Sequence, residues 1–469
     1  MDNSCDTLIR NAIVVDPYRG LVDTNITIED GKIKSLTKSV QNIHASNIIN
    51  ANKKYVLPGL IDPHVHYGVF TPIEKAAITE SRSGAIGGVT TVIRMLRLYD
   101  SYSNINKHIK ASIGTHYIDY SIHASILRSE QVNEIEYLMN NGINSFKLYM
   151  NLGEGTNLNS ILMDTDPGAT LTRSEVVNVT DGFILSLLKE TSNRNCVLLV
   201  HAEDPLMCAR EIRKGKIKSL TGLKAWSSCR PPSSEAKSIR KISSLTREFG
   251  TKLYFVHIGS TAALEAITAA RQKGYTNLYI ETCPHYLTHT VDFEDSIAKV
   301  VPPIRSKSDV QSTWSSLQSG IINTIGTDHV ANMLSTKKGD NDIWSASSGF
   351  PGIATMLPVL LSKGVNEGRI NLNKVVELTS YNTARIFGMY PRKGNISKGF
   401  DADLTIINLD LEQKVTPELL QSNSDYTIYD GWKMRGWPIL TMVRGIVVMQ
   451  NGQVNAETLG CGEFIRRPV

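Results

Sequence analysis

Gly59-Leu60-Ile61-Asp62-Pro63-His64-Val65-His66 is a short apolar run that ends in two imidazoles. Strand side chains alternate between faces, so His64 and His66 point the same way and can share one metal ion. Seven further strand candidates follow, near residues 89–95, 118–124, 143–150, 196–202, 252–258, 277–283 and 322–328. Helical patterns lie between them, at 129–141, 182–192, 235–249 and 261–273 among others. Short strands alternating with longer helices mark parallel β/α units. Eight such strands is the count of a closed barrel, although the pattern alone also fits a doubly wound open sheet.

Outside this middle, both ends read as β. Residues 22–36 alternate apolar and polar around the hairpin signal Asp30-Gly31. Ile439–Val454 does the same around Asn451-Gly452, and Ala402–Asn408 adds a short strand. The expected fold class is α/β: a (β/α)8 TIM-like barrel over residues 58–389, with a smaller β-sandwich domain assembled from 1–57 and 390–469. A chain of 469 residues has room for both. Two stretches, Asn151–Thr172 and His329–Gly352, are long for structureless barrel loops and follow strand C-terminal ends, where barrel active sites sit.

Bulk properties exclude several functions. The 50 Lys and Arg against 45 Asp and Glu leave a formal charge of only +5, with the charges scattered. No basic, aromatic-rich tract suggests nucleic acid. No apolar run approaches the roughly 20 residues of a membrane span, and the start, Met1-Asp2-Asn3-Ser4-Cys5, lacks the pattern of a signal peptide. The 6 cysteines are widely spaced without a Cys-x-x-Cys pair, which fits neither a disulfide framework nor a cysteine zinc cage. A reducing cytoplasm is the expected location.

The chemistry gathers at the strand ends. Leu198-Leu199-Val200-His201 and Tyr254-Phe255-Val256-His257 each finish an apolar run with an imidazole, and Ile325-Gly326-Thr327-Asp328 finishes one with a carboxylate. Four imidazoles and a carboxylate, all at strand C-termini, point to a metal centre rather than to core histidines. Lys147 lies in Phe146-Lys147-Leu148-Tyr149-Met150, where burial favours a neutral amine that carbon dioxide can convert to a carbamate. Such an anion has two oxygens and can bridge two cations. His44, His108, His116, His123 and His289 have no such placement and read as structural or exposed.

Together with Ser145-Phe146-Lys147, Val200-His201-Ala202-Glu203, Val256-His257 and Gly326-Thr327-Asp328, the opening octapeptide resembles the amidohydrolase superfamily. Glu281 to Leu287, Pro302-Pro303-Ile304-Arg305 and Gly394 to Asp403 resemble its cyclic amidase branch, the hydantoinases, dihydropyrimidinases, allantoinases and dihydroorotases. The resemblance implies that His64, His66 and Asp328 hold one divalent ion and that His201 and His257 hold a second. Lys147, as N6-carboxylysine, would bridge them. It further implies zinc as the usual metal, carbon dioxide for the lysine, and a small cyclic amide as substrate. A metal-bridging hydroxide would attack the ring carbonyl, with Asp328 as the catalytic proton carrier. A homo-oligomer, dimer or tetramer, is expected. Lys147 and the 281–287 stretch argue against a deaminase or open-chain deacylase, and the six filled ligand positions argue against a metal-free scaffold.

For the substrate the motifs diverge. Gly68 stands where dihydroorotases carry an Arg for the substrate carboxylate, and Gly68-Val69-Phe70-Thr71 lacks the allantoinase Glu-Pro-Gly-Arg. Tyr429-Asp430-Gly431-Trp432 and the stretch from Gly460 to Arg466 look most like hydantoinases. Yet Leu152 replaces their Tyr, Val301 their Ser before the paired prolines, and Ser348 their Asn. Tyr149, Leu152, Val301 and Ser348 are therefore the expected substrate contacts. With Gly68 in place of the Arg, the expectation is a neutral ring, opened at least about a hundredfold better than dihydroorotate.

Overall fold

The computed structural model describes residues 4–153, 156–169, 172–338 and 342–468. Five strands open the chain: β1 (Ser4–Asp16), β2 (Gly20–Glu29), β3 (Lys32–Thr37), β4 (His44–Asn50) and β5 (Tyr55–Pro58). Then come β6 (Leu60–His66), β7 (Val89–Leu96), β8 (Asp119–Ser125) and β9 (Ser145–Tyr149). A hairpin of β10 (Ser160–Leu162) and β11 (Ser174–Val176) follows. The next strands are β12 (Val197–His201), β13 (Lys252–Phe255), β14 (Leu278–Thr282), β15 (Thr324–Ile325) and β16 (His329–Val330). The chain finishes with β17 (Leu404–Lys414), β18 (Lys433–Val443), β19 (Ile446–Gln450) and β20 (Gln453–Val454).

The middle strands form one parallel sheet in the order β15-β14-β13-β12-β9-β8-β7-β6-β16. β15 pairs with β14 and β16 with β6, so the broken eighth strand closes the sheet into the expected barrel, and the open-sheet alternative is set aside. β7, β8, β9 and β12 are buried at every position, as strands covered on both faces must be, which is why they read as continuous apolar runs. Outside the barrel the helices cover it. Asp181–Asn193 is capped by Thr180, Thr261–Gln272 by Ser260, and Lys307–Gln318 by a Ser306–Asp309 capping box.

Three local expectations change. The helix read at 129–141 is two short helices, Ser129–Val132 and Ile135–Asn140. At the break, Glu134 turns its carboxylate to the Tyr102 backbone N–H at 2.8 Å. The eighth strand, read as continuous over 322–328, is interrupted at Gly326–Asp328, with Asp328 in the left-handed region at φ 52°. The first long loop holds β10, which pairs with β11 just beyond the loop's end.

The terminal strands join in a second sheet, ordered β20-β19-β18-β17-β5-β1-β2-β3, with β4 on β1. Its core mixes both ends of the chain, among them Ile9, Val14, Ile26 and Val56 with Leu404, Ile406, Leu440 and Met442. Residues near the C-terminus also floor the barrel. Ile465 packs with the inward-facing Ile61, Ile93, Leu199 and Tyr254, and its backbone N–H donates to Tyr120 O at 2.7 Å. Buried Arg467 donates to the Ser121 and Ser145 hydroxyls at 2.8 and 2.7 Å.

A buried cation ties the sheet to the barrel. Lys393 Nζ meets Asp119 of β8 at 2.7 Å and Asp401 at 3.2 Å, and also bonds Asp403. Removing one partner of a buried ion cluster leaves uncompensated charge, worth about 3–5 kcal/mol. Lys393→Met is therefore expected to lower the melting temperature far more than Lys374→Met. The latter removes only a surface pair with Glu377, which contributes roughly 0–1 kcal/mol. Equal melting shifts would remove the cluster from any structural role.

Candidate metal centre

All six expected ligands, His64, His66, Lys147, His201, His257 and Asp328, line one cavity of about 330 Å³ at the C-terminal mouth of the barrel. The expected substrate contacts Tyr149, Leu152, Val301 and Ser348 line the same cavity. The tightest group is His64, His66 and Asp328. Asp328 Oδ1 lies 3.3 Å from His64 Nε2 and 3.1 Å from His66 Nε2, and the two nitrogens are 3.3 Å apart. The His201 and His257 rings form a second pair, with centroids 4.6 Å apart, and His257 stands 5.5 Å from His64 in the same measure.

Buried carboxylates orient these rings. His64 Nδ1 donates to Glu281 Oε1 at 2.7 Å, which turns Nε2 toward Asp328. Glu281 also accepts from the His257 backbone N–H at 3.0 Å and the Tyr254 hydroxyl at 2.9 Å. His257 sits at φ 46°, so two donors at this mouth occupy the left-handed region where strained functional residues cluster. His201 Nε2 donates to Glu203 Oε2 at 2.6 Å, leaving Nδ1 as its other ring nitrogen, and Arg230 neutralises Glu203 at 2.6 Å. Asp62 accepts from the His64 and Thr327 backbone N–H groups, both at 3.1 Å, and so locks the start of the site to the broken eighth strand.

Lys147 is 1% exposed, and its Nζ has no hydrogen-bond partner among the described residues. It stands 5.3 Å from the Tyr149 ring centroid. Burial pulls its amine down to about 7, with Glu281 and Asp328 acting in the opposite direction. Burial likewise lowers His66 to about 3 and His257 well below the usual imidazole range. For Asp328, burial would raise the carboxyl, but His64 and His66 outweigh it and hold it low. The centre thus presents neutral nitrogens, one carboxylate and one unpartnered amine, a donor set that suits divalent cations.

The other histidines read from sequence divide as expected. His44 is exposed. Buried His116 and His289 bond backbone carbonyls, and buried His108 lies near Asp166. His123 bonds Pro63 O at 3.0 Å and Ser145 Oγ at 2.5 Å, buttressing the strand that carries His64. Arg305 is committed to Glu235 and to the Arg230 carbonyl, which makes it structural. Sequence reading missed Glu281, Glu203, Arg230 and Arg97, of which Arg97 and Arg230 line the cavity. The signal for Glu281 was a carboxylate closing an apolar strand, the same signal that singled out Asp328.

Comparison with known proteins agrees with this geometry. The profile described as "Amidohydrolase family" matches residues 55–448. This chain belongs to that family. It is 30% identical over 478 aligned positions to the L-hydantoinase of Paenarthrobacter aurescens, covering 98% of each chain. It is 29% identical to the D-hydantoinase of Ralstonia pickettii, covering 98% of this chain and 99% of that one. Among solved structures, the L-hydantoinase (dihydropyrimidinase) from Arthrobacter aurescens superposes with a TM-score of 0.89 at 29% identity, over 99% of this chain and 100% of that one. The dihydropyrimidinase from Brevibacillus agri gives 0.87 at 28% identity, over 98% of each.

Partners that orient metal-binding imidazoles typically contribute 10- to 100-fold in metal affinity. Glu281→Gln should weaken divalent metal binding by about that factor, measured by competition against a chromophoric chelator. Unchanged affinity would show that His64 needs no such anchor.

Proposed function

We propose that this chain is a binuclear metal-dependent hydrolase that opens a cyclic amide of the hydantoin or dihydropyrimidine type. The observation that carries this reading is the convergence of six donor-bearing side chains from five barrel strands on one cavity. His64, His66 and Asp328 would hold one ion, and these three donor groups lie within 4.8 Å of one another. His201 and His257 would hold the other, with carboxylated Lys147 shared between them. The buried, unpartnered Lys147 amine fits this role, because a buried polar atom left alone is costly and a carbamate formed with carbon dioxide resolves it. Zinc is the proposed metal, which imidazole and carboxylate donors suit.

Two bound cations would supply Lewis acidity toward the ring carbonyl and lower the pKa of nearby water. The Asp328 carboxylate accepts the proton of the attacking water and returns it to the leaving ring nitrogen. Glu281 keeps the His64 ring from turning, and the Glu203–Arg230 pair does the same for His201. Tyr149, Leu152, Val301 and Ser348 form the wall against which the ring lies.

Among the described residues no helix is long and apolar enough to cross a membrane. The free thiols support a reducing, cytoplasmic setting. Assembly as a homo-oligomer belongs to the same reading, and exposed Leu206 and Ile217, at the two ends of the helix Pro205–Ile217, offer apolar surface for it.

The deciding experiment assays purified protein against a panel of cyclic ureides, imides and lactams, with metal analysis alongside. About two divalent ions per chain are expected, together with ring opening that chelation abolishes and His257→Ala severely reduces. Full activity in a metal-free sample would overturn the reading. Lys147→Ala should lose the shared ligand, and short carboxylic acids supplied in solution should restore part of the activity; an unmodified ammonium in active, metal-loaded protein contradicts the carbamate. Asp328→Asn should lower kcat far more than it changes KM. A variant within about tenfold of the parent, roughly 1.4 kcal/mol of barrier, removes Asp328 from proton transfer.

A further inference from the structure

We propose that Arg97 gives the cavity a site for a carboxylate, so that the ring opened here carries an anionic substituent. This rests on the amidase reading above and narrows its substrate. Arg97 directly follows β7 and lines the same cavity as the six candidate ligands. Its side chain is 12% exposed, and among the described residues its guanidinium makes no hydrogen bond. The nearest carboxylate oxygen, Asp164 Oδ2, is 3.6 Å from Nε.

Asp164 is already committed elsewhere. Its Oδ1 accepts from the buried Arg94 at 2.9 Å, and its Oδ2 accepts from the Arg97 backbone N–H at 2.9 Å. Among the described residues, two guanidinium groups thus share one carboxylate, which leaves one positive charge on this wall. A cation so placed is unfavourable unless something compensates it. Among the described residues the remaining lining groups do not. Arg230 is matched by Glu203, and Asp328 lies between His64 and His66. A planar guanidinium with free N–H groups is the side chain best shaped for a carboxylate.

The same residues account for Gly68. A Cβ there would lie 3.2 Å from Arg94 Nη1 and 3.4 Å from Asp164 Oδ1, on a backbone at φ 98°. The Arg94–Asp164 pair therefore occupies the space that a long side chain at position 68 would need. It also fixes Arg97 through two backbone contacts, the second from Asp164 N–H to Arg97 O at 3.1 Å. The cation missing after the first barrel strand is supplied from the end of the second. This reverses the expectation of a neutral ring drawn from Gly68 alone.

The test uses metal-loaded full-length enzyme and two substrate pairs matched in size. These are 5-(2-carboxyethyl)hydantoin against 5-(2-carbamoylethyl)hydantoin, and dihydroorotate against dihydrouracil. In at least one pair, kcat/KM is expected to favour the carboxylate by about tenfold or more. Arg97→Met should shrink that ratio about tenfold, chiefly through KM, while Arg97→Lys keeps part of it. Each ratio is taken on one preparation, so a general loss of activity cancels. If Arg97→Met gives no soluble enzyme, the parent ratio and that of Arg97→Lys decide. Uncharged rings preferred in both pairs, or a ratio that the Arg97 variants leave unmoved, overturns the proposal while the amidase reading stands. Enzyme that opens none of the four rings overturns both.

Discussion

Three strands meet at one buried carboxylate. Glu281, at the end of β14, accepts from His64 on β6 and from the Tyr254 hydroxyl and His257 backbone of the β13 segment. A carboxylate so enclosed is tolerable only when its oxygens are satisfied, and these three donors satisfy it. Much of the mouth follows from that requirement. His64 has one ring nitrogen held and the other turned toward Asp328. His257 adopts a backbone that lets its N–H reach the same oxygen. Residue 326 must be glycine, because a Cβ there would lie 2.6 Å from Glu281 Oε2 and 2.9 Å from the His64 Cβ.

Around this rigid base the cavity wall is held by buried cations that, among the described residues, pair with no carboxylate. Lys337 Nζ donates to the carbonyls of Lys299, Ser347 and Gly349 at 2.7, 2.6 and 2.7 Å. Lys299 Nζ in turn bonds Ala346 O at 2.5 Å and lies over the Trp226 ring. Burial lowers both amines, Lys299 to about 8 and Lys337 well below the usual lysine range. These contacts pin the backbone on either side of Ser348, so one side of the cavity is set by main-chain hydrogen bonds. On the opposite side, the β10–β11 segment is anchored by the Arg94–Asp164 pair.

The sequence carried the barrel because its parallel strands are buried on both faces and finish in polar residues. That pattern survives translation into letters at His201 and His257. It also carried Lys147, since a cation inside an apolar strand is conspicuous. The interruption at Gly326–Asp328 was not legible, because a left-handed aspartate leaves no mark in composition. Arg97 was missed for a different reason. Its meaning depends on Asp164, which lies far along the chain in a loop whose path cannot be read from periodicity. Glu203 stood in plain view two residues after His201, but only the fold shows it reaching back to that ring. The long-range pairing of β5 with β17 was anticipated only as two β-rich ends, without register.

The floor of the barrel has a temporal consequence. Ile465 and Arg467 close the end opposite the cavity, yet they leave the ribosome long after β6 to β16 have emerged. Until then the inward faces of Ile61, Ile93 and Leu199 lack their cover, and Ser121 and Ser145 lack a partner. A barrel formed before then would leave that apolar surface uncovered, the kind of surface on which aggregation begins. Since Arg467 reaches Ser145, and Ser145 holds the His123 ring beneath His64, the base of the catalytic mouth settles only once residue 467 has emerged, well after Asp328. A chain released early would have its chemistry-bearing residues but no firm ground beneath them.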